Sequence, residues 1–404
     1  MRRGSNRSNR FNALLKVGVL VGALGISVGG AELTARFVWK EKYNDWLEQQ
    51  LHGFDYVDRD RSLILPKPNT HRTIQQLRED LRSHGKSLGL ANLESLVPGQ
   101  GLPSDEVVFS INSHGFRGDE FKLPKPESSY RILAIGDSCT WGPAIDDLTY
   151  PEIMQRELES WVIGRCNKVV EVVNGGVMGY NFERVLHRMD EYLATDPDFV
   201  TIYLGWNRTI GRADPEMNRD LYRSLALYRF YYHALVDRNG INLDPTLSDA
   251  PIYDPDDPYM ARFIDFDFSD DIADLDLIVN HIRSRDIPLA VISLAGQFDW
   301  RITPSDTALM TAYPVYSTPN LYAYSVLTRG FNEALRDYAV GQDIPLIDFE
   351  DYAYRSFTPR TEYFADSVHP TLCGYEAMGR FIAHELMALL PCHQEQLDPD
   401  DLTP

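Results

Sequence analysis

The chain has 404 residues, 44% of them hydrophobic and 24% charged, enough for one large globular domain or two ordinary ones. A formal net charge of −20 excludes a protein that binds nucleic acid through a non-specific basic surface. Four cysteines without a C-x-x-C pair exclude a disulfide-built scaffold and a zinc site of that type.

Met1–Lys16 is basic and polar, and Val17–Ala31 follows without a charge. That run falls short of the ~20 residues of a spanning helix. Adding Phe11–Leu15 and letting Lys16 snorkel extends it over residues 11–31. The reading is a transmembrane signal anchor. A cleaved signal peptide and a buried helix are the alternatives, and no A-x-A-like cleavage site follows the run. Basic residues before it and Glu32, Glu41, Asp45 and Glu48 after it predict a single pass with the N-terminus (1–16) cytoplasmic and the rest extracytoplasmic. Gly25–Gly29 (GISVG) matches G-x-S-x-G, but no strand precedes it, and small residues of a membrane helix account for it. Residues 32–125 read as a juxtamembrane helix and an extension. In Glu32–Leu51, Phe37, Trp39, Tyr43 and Trp46 suit a membrane surface. Beyond Phe54, Pro66, Pro68, Pro98 and Pro103 interrupt the pattern, with a helix predicted over Ile74–Leu90 and a strand over Val107–Ile111.

From residue 126 to 392 the pattern alternates. Strands are predicted at Ile132–Ile135, Val169–Val173, Val200–Leu204, Leu289–Leu294 and Leu346–Ile347. Between them lie helices at Tyr150–Val162, Phe182–Ala194, Asp271–Arg285, Tyr324–Val340 and Gly374–Leu390. Short apolar strands alternating with amphipathic helices predict an α/β fold: a doubly wound, mostly parallel five-stranded sheet in a three-layer α/β/α sandwich. Residues 208–288 are long for one crossover. They hold an aromatic-rich helix at Met217–Asp237 and an acidic loop at Asp244–Asp271, a candidate lid or substrate wall that lacks the EF-hand pattern. The tail 393–404 is polar and reads as disordered.

Arg131–Gly142 (RILAIGDSCTWG) organises this domain. Ser138 follows a buried strand, at the carboxyl edge where open α/β sheets place ligands. A serine hydroxyl needs a base, and His369 is the candidate. Asp366, three residues earlier, can fold back to orient the imidazole. A capping turn before the last helix is the competing account of Asp366–Pro370 (DSVHP). Asn207 follows the strand Val200–Leu204, and Gly179 sits in a glycine-rich turn where its N–H can approach a ligand. Asp137 beside Ser138 and Arg208 are candidate substrate contacts. Cys139 follows Ser138, but its side chain is expected to point away from that of Ser138.

Gly136–Ser138, Asn174–Asn181 (NGGVMGYN), Gly205–Arg208 (GWNR) and Asp366–Pro370 resemble, in this order, the four blocks of the SGNH, or GDSL, hydrolase superfamily. The resemblance spans roughly Arg131–Leu390. It implies a flavodoxin-like sandwich and a Ser138–His369–Asp366 triad. It also implies an oxyanion hole from the Ser138 N–H, Gly179 and Asn207, with no metal or organic cofactor. One departure is Arg208, where the family has Asp after the Asn. Ile111–Phe121 (INSHGFRGDEF) resembles a segment that precedes the nucleophile block in membrane-anchored members, and reads as a packing element. Helix placement in such sheets puts Cys166 and Cys392 at one edge, away from the site, within reach of a disulfide. The function expected is ester hydrolysis through an acyl-enzyme, on acylated cell-surface glycans or lipids. An O-acyltransferase with the same triad and a non-catalytic glycan-binding surface protein are the alternatives. No nucleic-acid partner is expected, and the sequence leaves the oligomeric state open.

Overall fold

The apolar run at Ile132–Ile135 lies inside a strand, Ser129–Gly136, whose every residue is buried. Successive strand residues point to opposite faces, so both faces of this strand are covered. The computed structural model describes residues 5–84, 107–209, 219–236, 252–304 and 318–390; the side chains of 5–26, 208, 219–220, 223 and 233–236 fall outside the description. The chain divides into two compact units, Met1–Gln50 with Glu216–Asn242, and Leu51–Pro215 with Leu243–Pro404.

In the larger unit the strands are β1 (Asp55–Asp58), β2 (Leu63–Pro66), β3 (Thr70–Thr73), β4 (Val107–Ile111), β5 (Ser129–Gly136), β6 (Val169–Gly176), β7 (Phe199–Tyr203), β8 (Leu289–Ile292) and β9 (Leu346–Ile347). The five-stranded sheet has the order β6-β5-β7-β8-β9, and every pairing in it is parallel. The chain leaves β5 to one side for β6, then returns past it to β7. The order therefore reverses beside β5, and ligands of such sheets bind beyond the carboxyl ends at that point. Arg131 is an exception inside this apolar strand. It is fully buried and pairs with Glu171 at 2.6 Å, while its other donors reach the carbonyls of Thr195 and Lys122.

Thr149 caps the helix Tyr150–Cys166, and Pro151 occupies the first turn, where its missing N–H costs nothing. Tyr150, Ile153, Met154, Leu158 and Val162 form its buried face. This helix packs on Leu372–Leu389. Their crossing is close at Gly379, where a Cβ would lie 2.7 Å from the Ile153 side chain and 2.9 Å from the Tyr150 carbonyl oxygen. A second group of helices packs around Ser269–Arg283, with Phe182–Leu186 and Tyr322–Gly341 against it. The single helix expected at Phe182–Ala194 is two, Phe182–Leu186 and Met189–Leu193. Arg188 breaks it, because its buried guanidinium donates to the Gly115 carbonyl and pairs with Glu191.

The extension before β5 is more regular than its prolines suggested. β1 pairs with β2 and β3 with β4, both antiparallel. Thr73 and Gln76 form a capping box on the helix Ile74–Ser83, which is shorter than the expected Ile74–Leu90. Phe54, Leu77, Leu81, Phe109 and Ile111 close a small core over Trp141.

In the smaller unit the helix Ser5–Glu48 packs on Ala226–Val236. The expected helix Met217–Asp237 is again two, Arg219–Ser224 and Ala226–Val236. The Glu32 carboxylate accepts from the N–H groups of Ala226 and Leu227, Arg36 donates to the Ser224 carbonyl, and Trp39 meets Phe230 edge-on at 5.3 Å. This half of the insertion therefore groups with the N-terminal helix. Among the described residues no helix is long and apolar enough to cross a membrane. Most of the expected span 17–31 lies outside the described side chains. The acidic loop contains a short helix, Ala261–Ile264, after a single 3-10 turn. Cys166 is disulfide-bonded, Cys139 and Cys373 are free, and the expected partner Cys392 lies outside the described residues.

Gly379→Leu is expected to cost about 1–3 kcal/mol through overpacking, lowering Tm by several degrees. Gly164→Ala, in open space on the helix facing it, is expected to raise Tm slightly through helix propensity. Thermal unfolding followed by circular dichroism separates the two. An unchanged Tm in Gly379→Leu would contradict the close crossing.

Candidate active site

Ser138 opens a four-residue helix, Ser138–Trp141, directly after β5. The turn is tight because glycine backbones flank it. A Cβ on Gly176 would lie 2.2 Å from the Trp141 nitrogen and 2.6 Å from the Thr140 carbonyl carbon. Asp137 caps the helix, its carboxylate accepting from the Cys139 N–H at 3.0 Å. Asp137 has no exposed surface, so the expectation that it contacts substrate is corrected: it is a buried cap. Burial pushes its carboxyl up to about 6, against the pull of the Cys139 N–H and of His369.

His369 Nε2 lies 2.8 Å from Ser138 Oγ. Its Nδ1 faces both oxygens of Asp366, at 2.8 and 3.0 Å. Asp366 also accepts from the backbone N–H groups of Val368 and His369, which folds the DSVHP loop back on itself. The loop is further closed by the Ala365 N–H on the His369 carbonyl and tied to the segment that follows β8 by the Gln297 N–H on the Ser367 carbonyl. The competing capping account of this loop is not met: the helix Leu372–Leu389 is capped by Thr371, which lies just after the DSVHP segment.

Burial alone would raise Asp366, but the His369 charge and the hydrogen bonds from His369 and Val368 outweigh it and hold the carboxyl below the usual range. Burial alone would lower His369, but Asp366 outweighs it and the imidazole titrates above its ordinary value. An imidazole so held, with its second nitrogen against a serine hydroxyl, can accept that hydroxyl's proton. Burial pushes the Cys139 thiol well up, and its sulfur faces the Val368 carbonyl at 3.5 Å. That leaves it a poor nucleophile.

Asn207 lies in the short helix Trp206–Thr209 that follows β7. Its side-chain amide donates to the Tyr180 carbonyl at 2.9 Å, next to Gly179. An amide nitrogen carries two hydrogens, so this bond uses one. Gly179 has φ +73°, in a turn closed by the Tyr180 N–H on the Val177 carbonyl. Ser138, Asp366 and His369 are thus joined in one hydrogen-bonded chain, and Asn207 is joined to the Gly179–Tyr180 turn. The Arg208 side chain lies outside the described residues. Among the described residues no cluster of His, Cys, Asp and Glu has the form of a metal site. Sequence reasoning missed Arg117, whose guanidinium donates to the carbonyls of Trp141 and Gly142 at the far end of the Ser138 helix. The only signal was its place in INSHGFRGDEF.

The profile of the GDSL-like lipase/acylhydrolase family matches residues 134–377. No curated protein matches the chain. Among solved structures, the lipase/acylhydrolase from Enterococcus faecalis is 18% identical, with 65% of this chain and 97% of that chain covered and a TM-score of 0.40. The acetyl xylan esterase AlAXEase is 15% identical, with 64% and 99% covered and a TM-score of 0.39. The psychrotrophic esterase EstA from Pseudoalteromonas sp. is 13% identical, with 64% and 98% covered and a TM-score of 0.38.

Histidine titration by NMR is expected to give His369 a midpoint above the ordinary ~6.5. Asp366→Asn removes the larger of the two carboxylate contributions that raise it, leaving burial opposed only by Asp137, so the midpoint should fall. A midpoint that does not move in Asp366→Asn would contradict the pairing.

Proposed function

The chain belongs to the GDSL-like lipase/acylhydrolase family and is an ester-bond hydrolase, and from that premise we propose that it works through an acyl-enzyme on Ser138. The observation that carries the reading is the continuous chain Ser138 Oγ, His369 imidazole, Asp366 carboxylate. Ser138 Oγ attacks the acyl carbonyl while His369 Nε2 takes its proton. The tetrahedral oxyanion is met by the Ser138 N–H, the Gly179 N–H and the Asn207 amide. His369 then returns the proton to the departing alcohol, leaving the acyl group on Ser138. A water deprotonated by His369 attacks that ester, the bond to Ser138 Oγ breaks as His369 returns the proton to it, and the acid and free Ser138 result. Asp366 keeps the imidazole in the tautomer with Nε2 open and stabilises the imidazolium.

An O-acyltransferase would share every step but the last, with an acceptor hydroxyl in place of water. Hydrolysis is the reading preferred, because the matching family profile is that of lipases and acylhydrolases. Acylated cell-surface glycans or lipids are the substrates proposed for a catalytic unit outside the cytoplasm. We further infer that the N-terminal helix is a single-pass anchor with its basic end in the cytoplasm. The charge-free run 17–31 sits within the unbroken helix Ser5–Glu48, and Leu33 and Phe37 beyond it stand 71% and 68% exposed.

With p-nitrophenyl acetate and a fluorophosphonate label, the full chain is expected to release acetate and to be labelled, and Ser138→Ala to do neither. Asn207→Ala should lower kcat by about 10²–10³-fold. Neutral His369 is the active form, so kcat/KM should fall as pH drops through a midpoint above ~6.5. Labelling that persists in Ser138→Ala, or a rate independent of pH, would remove the assignment. Acetyl transfer to an added sugar outrunning release to water would favour the transferase. For the anchor, the full chain should resist alkaline carbonate extraction, and protease added outside the cell should reach residues after 50 but not the N-terminus. Release by carbonate would count against a spanning helix.

A further inference from the structure

Arg117 lies in the segment that read from sequence as simple packing. Its backbone bridges Ile111 on one side and Asn174 on the other, so the β3–β4 pair is stitched to the edge of β6 through this residue. Its side chain is 1% exposed. Nε donates to Asp146 at 2.9 Å, and Nη1 donates to the carbonyls of Trp141 at 2.8 Å and Gly142 at 3.3 Å. The guanidinium also lies over the rings of Phe109 and Trp141. Asn174 adds a second, longer donor to the Trp141 carbonyl at 3.4 Å.

These carbonyls belong to the end of the helix that Ser138 begins. A helix of one turn has no stability of its own, and its last carbonyls need donors from elsewhere. A cation at that end also suits the helix dipole. At the other end Asp137 caps, while the Gly176 backbone lies against Thr140 and Trp141, beside the carbonyls that Arg117 holds. The Gly142 N–H donates to the Ser138 carbonyl at 2.9 Å, so the end that Arg117 holds is bonded directly to Ser138.

We propose that Arg117, held by Asp146, is a positioning residue that fixes the Ser138 helix and so the alignment of Ser138 with His369. It touches no reacting atom, and the proposal rests on Ser138 being the nucleophile. A cleft of about 220 Å³ beside β6 is lined in part by Arg117 and Asp146, which gives a small cation a route to the site.

The test is the rate of fluorophosphonate labelling, with kcat and KM for p-nitrophenyl acetate, in full-length variants whose folding is checked by circular dichroism. Arg117→Met, which keeps the apolar stem between the two rings, should lose about 10²-fold in labelling rate and kcat, with KM little changed. Arg117→Lys should recover part of the loss. Arg117→Ala should be rescued several-fold by millimolar guanidinium, at concentrations that leave wild type unaffected. Asp146→Asn, which keeps the guanidinium but loosens it, should lose several-fold. A folded Arg117→Met or Asp146→Asn labelled at the wild-type rate would overturn the proposal, as would a loss in Arg117→Ala that guanidinium does not relieve. Wild type that is not labelled at Ser138 would instead remove the nucleophile reading.

Discussion

A single 2.8 Å contact, Ser138 Oγ to His369 Nε2, joins residues 231 positions apart in the chain. A few tenths of an ångström decide whether such a contact can pass a proton, so the intervening fold has to be stiff. The parallel sheet supplies that stiffness. β5 is an interior strand and wholly buried, and it delivers Ser138 to the carboxyl edge where the strand order reverses. His369 arrives from the far side of the sequence, on a loop that Asp366 folds into a turn before any chemistry is asked of it. The carboxylate thus holds the backbone of the loop and the ring it carries at once.

The loops around the sheet are held by a recurring device. Arg117, Arg131, Arg188 and Arg360 are all buried, and each donates to backbone carbonyls in loops or near helix ends: Trp141 and Gly142, Thr195 and Lys122, Gly115, Gly296 and Ala353. A planar guanidinium can serve two or three such acceptors at fixed angles, which a lysine cannot. Each also has a carboxylate nearby: Asp146, Glu171, Glu191 and Asp299. Buried ion pairs add little net stability once desolvation is counted. Their effect here is geometric, since a loop whose carbonyls are held by one rigid fork has few other conformations.

The sheet and the reactive residues were largely legible in the sequence, because both are local patterns. The apolar runs marked all five sheet strands, and GDS and DSVHP marked the two ends of the Ser138–His369 contact. What escaped was set by distant partners. A break in Phe182–Ala194 is invisible to periodicity, since Arg188 leaves the helix to reach Gly115, 73 residues away. β1 to β3 are four residues each and lie among prolines, too short for alternation to register. Asp137 looked like a substrate contact because it adjoins Ser138, yet the same turn that presents the serine buries its neighbour. Arg117 had no signal of its own, because its meaning depends on carbonyls 24 and 25 residues on.

The Glu32 carboxylate, accepting from the first two N–H groups of Ala226–Val236, makes two stretches of chain nearly two hundred residues apart dependent on each other. Removing everything before Phe37 would delete both Glu32 and Arg36. The aromatic helix would then lose its N-terminal acceptors while keeping Tyr231 and Leu227 exposed. Residues 216–242 and the N-terminal helix form one compact unit, so they are to be kept or removed together.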